Sequence, residues 1–352
     1  MQTEVLAGER AIERAVELLR AGEVVALPTE TVYGLAADAL NAGSVAKIFE
    51  AKERPRFDPL IVHLPTREWL GRVAHIDSEL VNDLASHFWP GPLTLVLPKS
   101  AAIPDIVTAG LESVAVRMSA HPIFARIIAE FGRPLAAPSA NRFGRISATA
   151  AAHVYDELAE RIPLIVDGGS ATHGIESTIV RIVDGAIEVL RPGPVMEEML
   201  AQFGAVRVVS GARRIIAPGQ LPSHYAPRTK LILVDDVANF AAPSGSRFGL
   251  LSLRLRPSSR PERSEVEGPR DASLKAARRN PSARVGMTFA VVRELSSRGD
   301  LREAAANLFR MLRELDAAHL DLIVAEKVAN EGIGAAINDR LQRAASSSQA
   351  VL

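Results

Sequence analysis

The chain has 352 residues, is 47% hydrophobic and 23% charged, and balances 41 Lys and Arg against 41 Asp and Glu. That length exceeds what one hydrophobic core normally organises and predicts two domains, while the even charge argues against recognition of nucleic acid or an anionic membrane by bulk electrostatics. The absence of Cys excludes disulfides, thiolate nucleophiles and Cys-ligated metals. With no basic segment leading into an apolar core at the N-terminus, and no apolar run of about 18 residues, a cytoplasmic location without membrane association is expected.

Residues 9–21 place Ile12, Ala15, Val16 and Leu19 on one face and end at Gly22, the pattern of an amphipathic helix with its stop signal. A buried strand is predicted at 23–28, and P-T-E-T-V-Y-G-L at 28–35 comes directly off its end. A polar turn there is a binding-site candidate in an open α/β sheet, although Pro, Thr and Gly also make ordinary turns over a packed tyrosine. Ser44 is expected to cap a helix over 45–53 that stops before Pro55, because proline disfavours helical geometry in the residue preceding it. Residues 60–64 are strand-like, helical patterns start at Thr66 and Asp77, and F-W-P-G-P at 88–92 breaks the second. Strands follow at 93–97 and 113–118, then a helix over 122–131 with Pro122 in its first turn.

L-A-A-P-S-A-N at 135–141 runs from apolar to polar, a helix covers 149–159, a strand 163–167, and D-G-G-S at 167–170 is glycine-rich. Residues 177–183 and 186–190 flank Asp184-Gly185, a hairpin signal, since Asp-Gly suits a two-residue turn with positive φ. Adjacent strands among helices predict a mixed sheet in an α/β fold. Residues 210–229 hold Pro and Gly with little periodicity and read as a linker between domains at 1–209 and 230–352. A second α/β pattern begins at 230–234, continues through 246–255 and 284–292, and adds helices at 300–318 and 333–345 around a strand at 321–326. Residues 256–283 carry Arg, Pro, Ser and Glu with too little apolar surface to offset ordering entropy, which predicts a mobile insertion, with an Arg-rich nucleic-acid arm as the alternative.

The usual nucleotide signatures, G-x-x-x-x-G-K-[ST] and G-x-G-x-x-G after a strand, are absent, as are H-E-x-x-H and G-x-S-x-G. What remains is a set of cations and hydroxyls at the ends of elements. Lys52 and Arg54 stand where a helix must end, either as a solvated terminus or as converging ligands. Ser139 and Asn141 project from an apolar turn. Arg117 and Arg191 close apolar strands, where a buried guanidinium needs an anionic partner from the protein or from a ligand. His63, in I-V-H-L, reads in isolation as a satisfied core histidine, apart from this set. With Thr29, Thr31, Ser147 and Ser177, these groups suit a polyanion bound without a phosphate loop and without a covalent nucleophile.

These stretches together resemble the threonylcarbamoyl-adenylate synthases in their long, two-domain form. The motifs are P-T-E-T-V-Y-G-L at 28–35, A-K-E-R-P at 51–55, P-L-I-V-H at 59–63, W-P-G-P-L-T at 89–94, V-A-V-R at 114–117 and A-P-S-A-N at 137–141. E-S-T-I-V at 176–180, L-R-P-G at 190–193, H-Y-A-P at 224–227 and G-A-A-I-N-D-R-L-Q-R-A at 334–344 continue them in order. The resemblance implies a twisted mixed-sheet YrdC-like domain with a large cationic cavity, followed by a smaller Rossmann-like α/β domain. It implies that L-threonine, bicarbonate and ATP give threonylcarbamoyl-AMP and pyrophosphate, with Mg²⁺ held mainly by the ATP phosphates and no metal ligands from the chain. A tRNA threonylcarbamoyl transferase complex would then carry the group to the adenosine next to the anticodon in tRNAs reading codons that begin with A.

Carried over residue by residue, Lys52, Arg54, Ser139 and Asn141 form the catalytic tetrad. Arg54, Asp58, Ser113, Ser139, Ser147, Arg191 and Tyr225 contact ATP, and Thr31, His63, Arg117, Ala137 and Ser177 form the threonine site. Tyr225, with His224, belongs to a linker that acts as a lid. Three positions depart from the family pattern: Asp58 where Asn is common, Ser119 where Pro often follows V-R-x, and P-G-Q-L-P-S before H-Y-A-P. A double-stranded RNA-binding module and a carbamoyl-adenylate-handling enzyme are the alternative readings, the first predicting a continuous basic surface for RNA contact.

Overall fold

Short apolar runs alternating with amphipathic stretches resolve into two sheets. The computed structural model describes residues 2–209, 224–240, 245–254 and 289–346. Most of the expected linker, 210–223, and the whole 256–283 insertion lie outside the described residues.

The first part of the chain runs β1 (Glu4–Leu6), α1 (Glu9–Arg20), β2 (Val25–Leu27), β3 (Gly34–Asp38), α2 (Ala42–Lys52) and β4 (Ile61–His63). It continues through α3 (Leu70–Val73), α4 (Glu79–Phe88), β5 (Leu93–Pro98), α5 (Asp105–Thr108), β6 (Ser113–Arg117), α6 (Pro122–Phe131) and β7 (Leu135–Ala136). Then come α7 (Ala151–Leu158), β8 (Leu164–Val166), β9 (Thr178–Val183), β10 (Ala186–Arg191), α8 (Glu197–Leu200) and β11 (Val206–Val208). All eleven strands join one mixed sheet in the order β1-β8-β2-β3-β7-β4-β6-β5-β9-β10-β11.

Strand alternation sorts its two faces. Leu27, Ala36 and Leu135 meet Ile12 and Leu19 of α1 and Phe124 and Ile128 of α6. Ala26, Leu35 and Ala136 meet Val45 and Ile48 of α2, Leu84 of α4 and Val154 of α7. Each Leu, Ile, Val or Phe among them, fully buried, contributes about 1.5–3 kcal/mol. At the β9–β10 hairpin Asp184 and Gly185 both take positive φ, 51° and 73°, as their two-residue turn requires.

Some local details differ from the sequence reading. Helix α2 begins earlier, because Asn41 rather than Ser44 caps it: Asn41 Oδ1 accepts from the backbone N–H groups of Gly43 (2.9 Å) and Ser44 (3.2 Å). Strand β3, unforeseen behind the turn at 28–35, is buried on both faces and so shows no alternation to read.

The second sheet holds β12 (Leu231–Val234), β13 (Phe248–Ser252), β14 (Val291–Glu294) and β15 (Leu322–Glu326), parallel throughout in the order β12-β15-β13-β14. Helices α9 (Leu301–Asp316) and α10 (Ile333–Ser346) pack Leu308, Leu312, Ile337 and Leu341 on one face of it. The same apolar cluster takes in Val32, Ile146 and Ile175 from loops of the larger sheet, so the two sheets share buried surface. No helix among the described residues is long and apolar enough to cross a membrane.

Candidate active site

The turn at 28–35 is built by its own hydroxyls. Thr29 Oγ1 gives its one proton to the Val32 carbonyl (2.6 Å) and accepts from the backbone N–H groups of Thr31 and Val32. Thr31 Oγ1, 2.9 Å away, must therefore be the donor of that pair, which leaves it accepting from Arg117 Nη1 at 3.0 Å. Tyr33 is fully enclosed; its hydroxyl donates to the Gly169 carbonyl (2.7 Å) and accepts from the Gly168 N–H, tying the turn to the D-G-G-S loop. Burial pushes this phenol up to about 12, so it remains a donor.

The A-P-S-A-N turn is stitched beside it by main-chain bonds, Leu35 N–H to the Pro138 carbonyl (2.8 Å) and Ala140 N–H to the Tyr33 carbonyl (2.7 Å). Gly34 sits in that seam, where an added Cβ would lie 3.3 Å from the Ala137 Cβ. The helix α2 ends in the left-handed residue Glu53 (φ 54°), one position earlier than the proline effect alone predicts, and Arg54 N–H closes onto the Phe49 carbonyl. Lys52 and Arg54 are thereby sent in different directions. Lys52 Nζ, fully enclosed, donates to the carbonyls of Ser139 (2.6 Å) and Asn141. Burial, then the Arg54 charge, drives its pKa well down. Arg54 folds back to donate to the Asp58 (3.2 Å) and Pro59 (2.9 Å) carbonyls, and its Nη2 makes a 2.8 Å ionic contact with Asp58 Oδ2.

Strands β4 and β6 pair in parallel and bring His63 and Arg117 into register. Arg117 Nη2 donates to Glu30 Oε1 at 2.5 Å, and the Ser119 hydroxyl donates to Glu30 Oε2. Burial pushes the Glu30 carboxyl up, but Arg117 and then Ser119 outweigh it and hold it at about 2. His63, against the Phe124 ring, is kept neutral by burial and by the Arg117 charge, with its pKa at about 3 and its Nδ1 without a hydrogen-bond partner. On the opposite wall, Arg191 donates to the Ser177 carbonyl (3.0 Å) and Ser177 Oγ (3.1 Å), and Ser177 Oγ pairs with Thr94 Oγ1 at 2.8 Å.

These groups meet around one pocket that is partly open to solvent. Of the residues singled out by sequence, Thr31, His63, Arg117, Ala137 and Ser177 line it together with Arg54, Ser139, Arg191 and Tyr225. Lys52, Asn141, Asp58 and Ser147 stand behind the wall. Ser113 is half-buried at the start of β6, the end of that strand away from Arg117, and does not line the cavity. Both strand ends contribute, with Arg117 and Arg191 ending their strands and Gly34 and Ser177 at or before the start of theirs, as a mixed sheet allows. Tyr225 reaches in from the segment connecting the two sheets; its neighbour Ala226 bridges to Arg145, and its ring stacks on Phe309 of α9 at 5.4 Å. Its hydroxyl is buried without a hydrogen-bond partner.

Sequence reading missed Glu30, Thr94 and the pair Glu176–Arg340, in which Arg340 Nε donates to Glu176 Oε2 at 2.9 Å. A signal for Arg340 existed: in α10 it falls on the stripe of Ile337, Leu341 and Ala344, where a cation requires a buried anion. Among the described residues no three His, Asp or Glu side chains cluster to hold a metal.

Two family models match the chain: one described as "Telomere recombination" over residues 17–193, and the C-terminal domain of threonylcarbamoyl-AMP synthase over 195–346. A threonylcarbamoyl-AMP synthase of Pyrococcus abyssi is 38% identical, over 96% of this chain and 94% of its own length. That of Bacillus subtilis is also 38% identical, over 97% and 95%. The crystal structure of P. abyssi Sua5 complexed with L-threonine superposes with a TM-score of 0.82 at 34% identity, covering 98% of both chains. With relatives aligned across both sheets and the fold shared throughout, the chain belongs to the threonylcarbamoyl-AMP synthase family.

Proposed function

We infer that the chain is an L-threonylcarbamoyladenylate synthase, a nucleotidyltransferase that converts L-threonine, bicarbonate and ATP to threonylcarbamoyl-AMP and pyrophosphate. The observation that carries this is the cavity itself, in which a carboxylate-binding guanidinium, Arg117, faces Thr31 and His63 while Arg54, Ser139 and Arg191 occupy adjoining walls. Arg117 Nε is buried without a hydrogen-bond partner, a donor for the threonine carboxylate. Neutral His63 adds no charge against the substrate amine. Thr31, Ala137 and Ser177 complete the threonine site, and Arg54, Ser139, Arg191 and Tyr225 form the ATP side of the cavity, with Asp58 and Ser147 supporting it from behind the wall and Ser113 too far along β6 to join it.

The amine attacks bicarbonate with loss of water to form a carbamate, whose oxygen then attacks the α-phosphorus as pyrophosphate departs. The substrates supply nucleophile and leaving group, so the protein's part is alignment and charge stabilisation. Arg54 meets developing phosphoryl charge directly. Lys52 acts one step behind, gripping the Ser139 and Asn141 carbonyls and so fixing the turn that presents Ser139. Asp58 is held by Arg54 rather than directed at phosphate, which accommodates a carboxylate where the family often has Asn.

A Mg²⁺ ion would be carried in by the ATP phosphates and water, in keeping with Glu176 and Asp58 being engaged by Arg340 and Arg54. The product is an unstable mixed anhydride, and a tRNA threonylcarbamoyl transferase complex in the cytoplasm would consume it to modify the adenosine beside the anticodon. Tyr225 and His224, enclosed over the cavity, serve as its lid. The test is pyrophosphate release from ATP with threonine and bicarbonate each omitted in turn. Release is expected only with both present, and release independent of threonine overturns the reading.

A further inference from the structure

The reaction so described leaves one buried ion pair without a role. Arg340 is wholly enclosed in α10 among Ala336, Ile337, Leu341 and Ala344. Its Nε donates to Glu176 Oε2 at 2.9 Å, its Nη1 to Asp339 Oδ2 at 2.8 Å, and its guanidinium carbon lies 5.4 Å from the centre of the Tyr225 ring. Glu176 lines the cavity beside Ser177 and turns its other oxygen, Oε1, to the Ser147 hydroxyl. A carboxylate in the wall of a cavity that must admit a triphosphate repels its ligand, and does so strongly where water is excluded. The compensating charge comes from a helix that belongs to the other sheet.

We propose that Arg340 is a positioning residue for adenylation: it cancels the charge of Glu176 and aims that carboxylate at Ser147, so that this wall accepts the phosphates of ATP. The inference rests on the synthase reading above. The groups facing Glu176 are Arg340 and Asp339 from α10, Arg191 from β10, the Ser147 hydroxyl, and His224 and Tyr225 from the segment crossing between the sheets. His224 is neutral, its pKa depressed to about 3 by burial, and Tyr225 is held protonated by burial. Burial pushes the Glu176 carboxyl up, and Arg340 first, then Arg191, outweigh it. Without Arg340 the balance tips toward protonation, and the defect becomes sensitive to pH.

Arg340→Met removes the charge while filling much of the volume. In pyrophosphate-release assays its KM for ATP is expected to rise roughly tenfold or more, with the KM for threonine within about twofold. As the pH is lowered the ATP defect relative to the parent should narrow, because protonation of the unpaired Glu176 removes the repulsion. Adding Glu176→Gln should restore most of the ATP affinity, whereas damage to packing alone would not be rescued. Arg340→Lys, which keeps the charge but not the forked geometry, should fall between, and with the double variant it carries the test if Arg340→Met does not fold. Equal losses for both substrates, a defect independent of pH, or no rescue by Glu176→Gln overturns the proposal. A parent protein that releases no pyrophosphate with threonine overturns the synthase reading instead.

Discussion

Lys52 and Arg54 are two residues apart and take different partners. The left-handed turn at Glu53 separates them, so Arg54 enters the cavity wall while Lys52 reaches behind it to the carbonyls of Ser139 and Asn141. Both are enclosed, and burial depresses the pKa of each. Their replacement by Ala should therefore damage the phosphate side of the site more than the threonine side. Each substitution is expected to lower kcat by roughly 10²–10³-fold, the range for losing a preorganised electrostatic group, with the threonine KM changed only about threefold. Steady-state pyrophosphate release at varied threonine measures both, and full activity in the double variant would remove the pair from catalysis. Their proximity could be read from A-K-E-R-P. Their divergence could not, because it depends on one residue adopting positive φ.

Among the elements, α9 decides how the second sheet meets the first. The loop before β9 presses Gly174 against this helix: with φ at 68°, an added Cβ would lie 2.5 Å from the Cα and carbonyl oxygen of Ala306. From the same helix Arg313 donates to the Ile146 carbonyl and, at 3.2 Å, to Glu157 Oε1. Gly174→Ala should thus unseat α9 and disturb the neighbouring Ile175–Glu176–Ser177 wall. It is expected to cost roughly 2–4 kcal/mol of unfolding free energy, combining overpacking with left-handed strain. Denaturant unfolding measures it, and a midpoint equal to the parent's would show that the contact is loose. The helix α6 and the β9–β10 hairpin were legible because Pro122 and Asp184-Gly185 act locally. The strands β1, β3 and β11 were not, since each is short and acquires its identity from a neighbour across the sheet.

At the scale of the whole molecule, the cavity is built mainly on the eleven-stranded sheet, while Tyr225 from the connecting segment lines it and Phe309, Arg313 and Arg340 back it from the other part of the chain. We propose on this basis that 1–209 and 230–352 are separable domains joined through a working lid. A chain cut after residue 209 should stay folded by circular dichroism, because the two layers over its sheet are complete without the second. It should lose roughly tenfold or more in turnover, since the lid and the partner of Glu176 are gone; unchanged turnover would deny the lid any part in the reaction. By itself the sequence determined the α/β class, the mixed sheet, most helices and the family, because periodicity, turn residues and ordered motifs are local properties of a chain. It also singled out cations and hydroxyls that line the cavity, among them Thr31, Arg54, Arg117, Ser139, Ser177 and Arg191. Only the tertiary structure decided which of them face the cavity, which stand behind it, and that Glu30 and Glu176 neutralise Arg117 and Arg340. Pairs such as Glu176 with Arg340, 164 positions apart, exist only when the two sheets' layers bury them together, and burial is what makes each charge require the other.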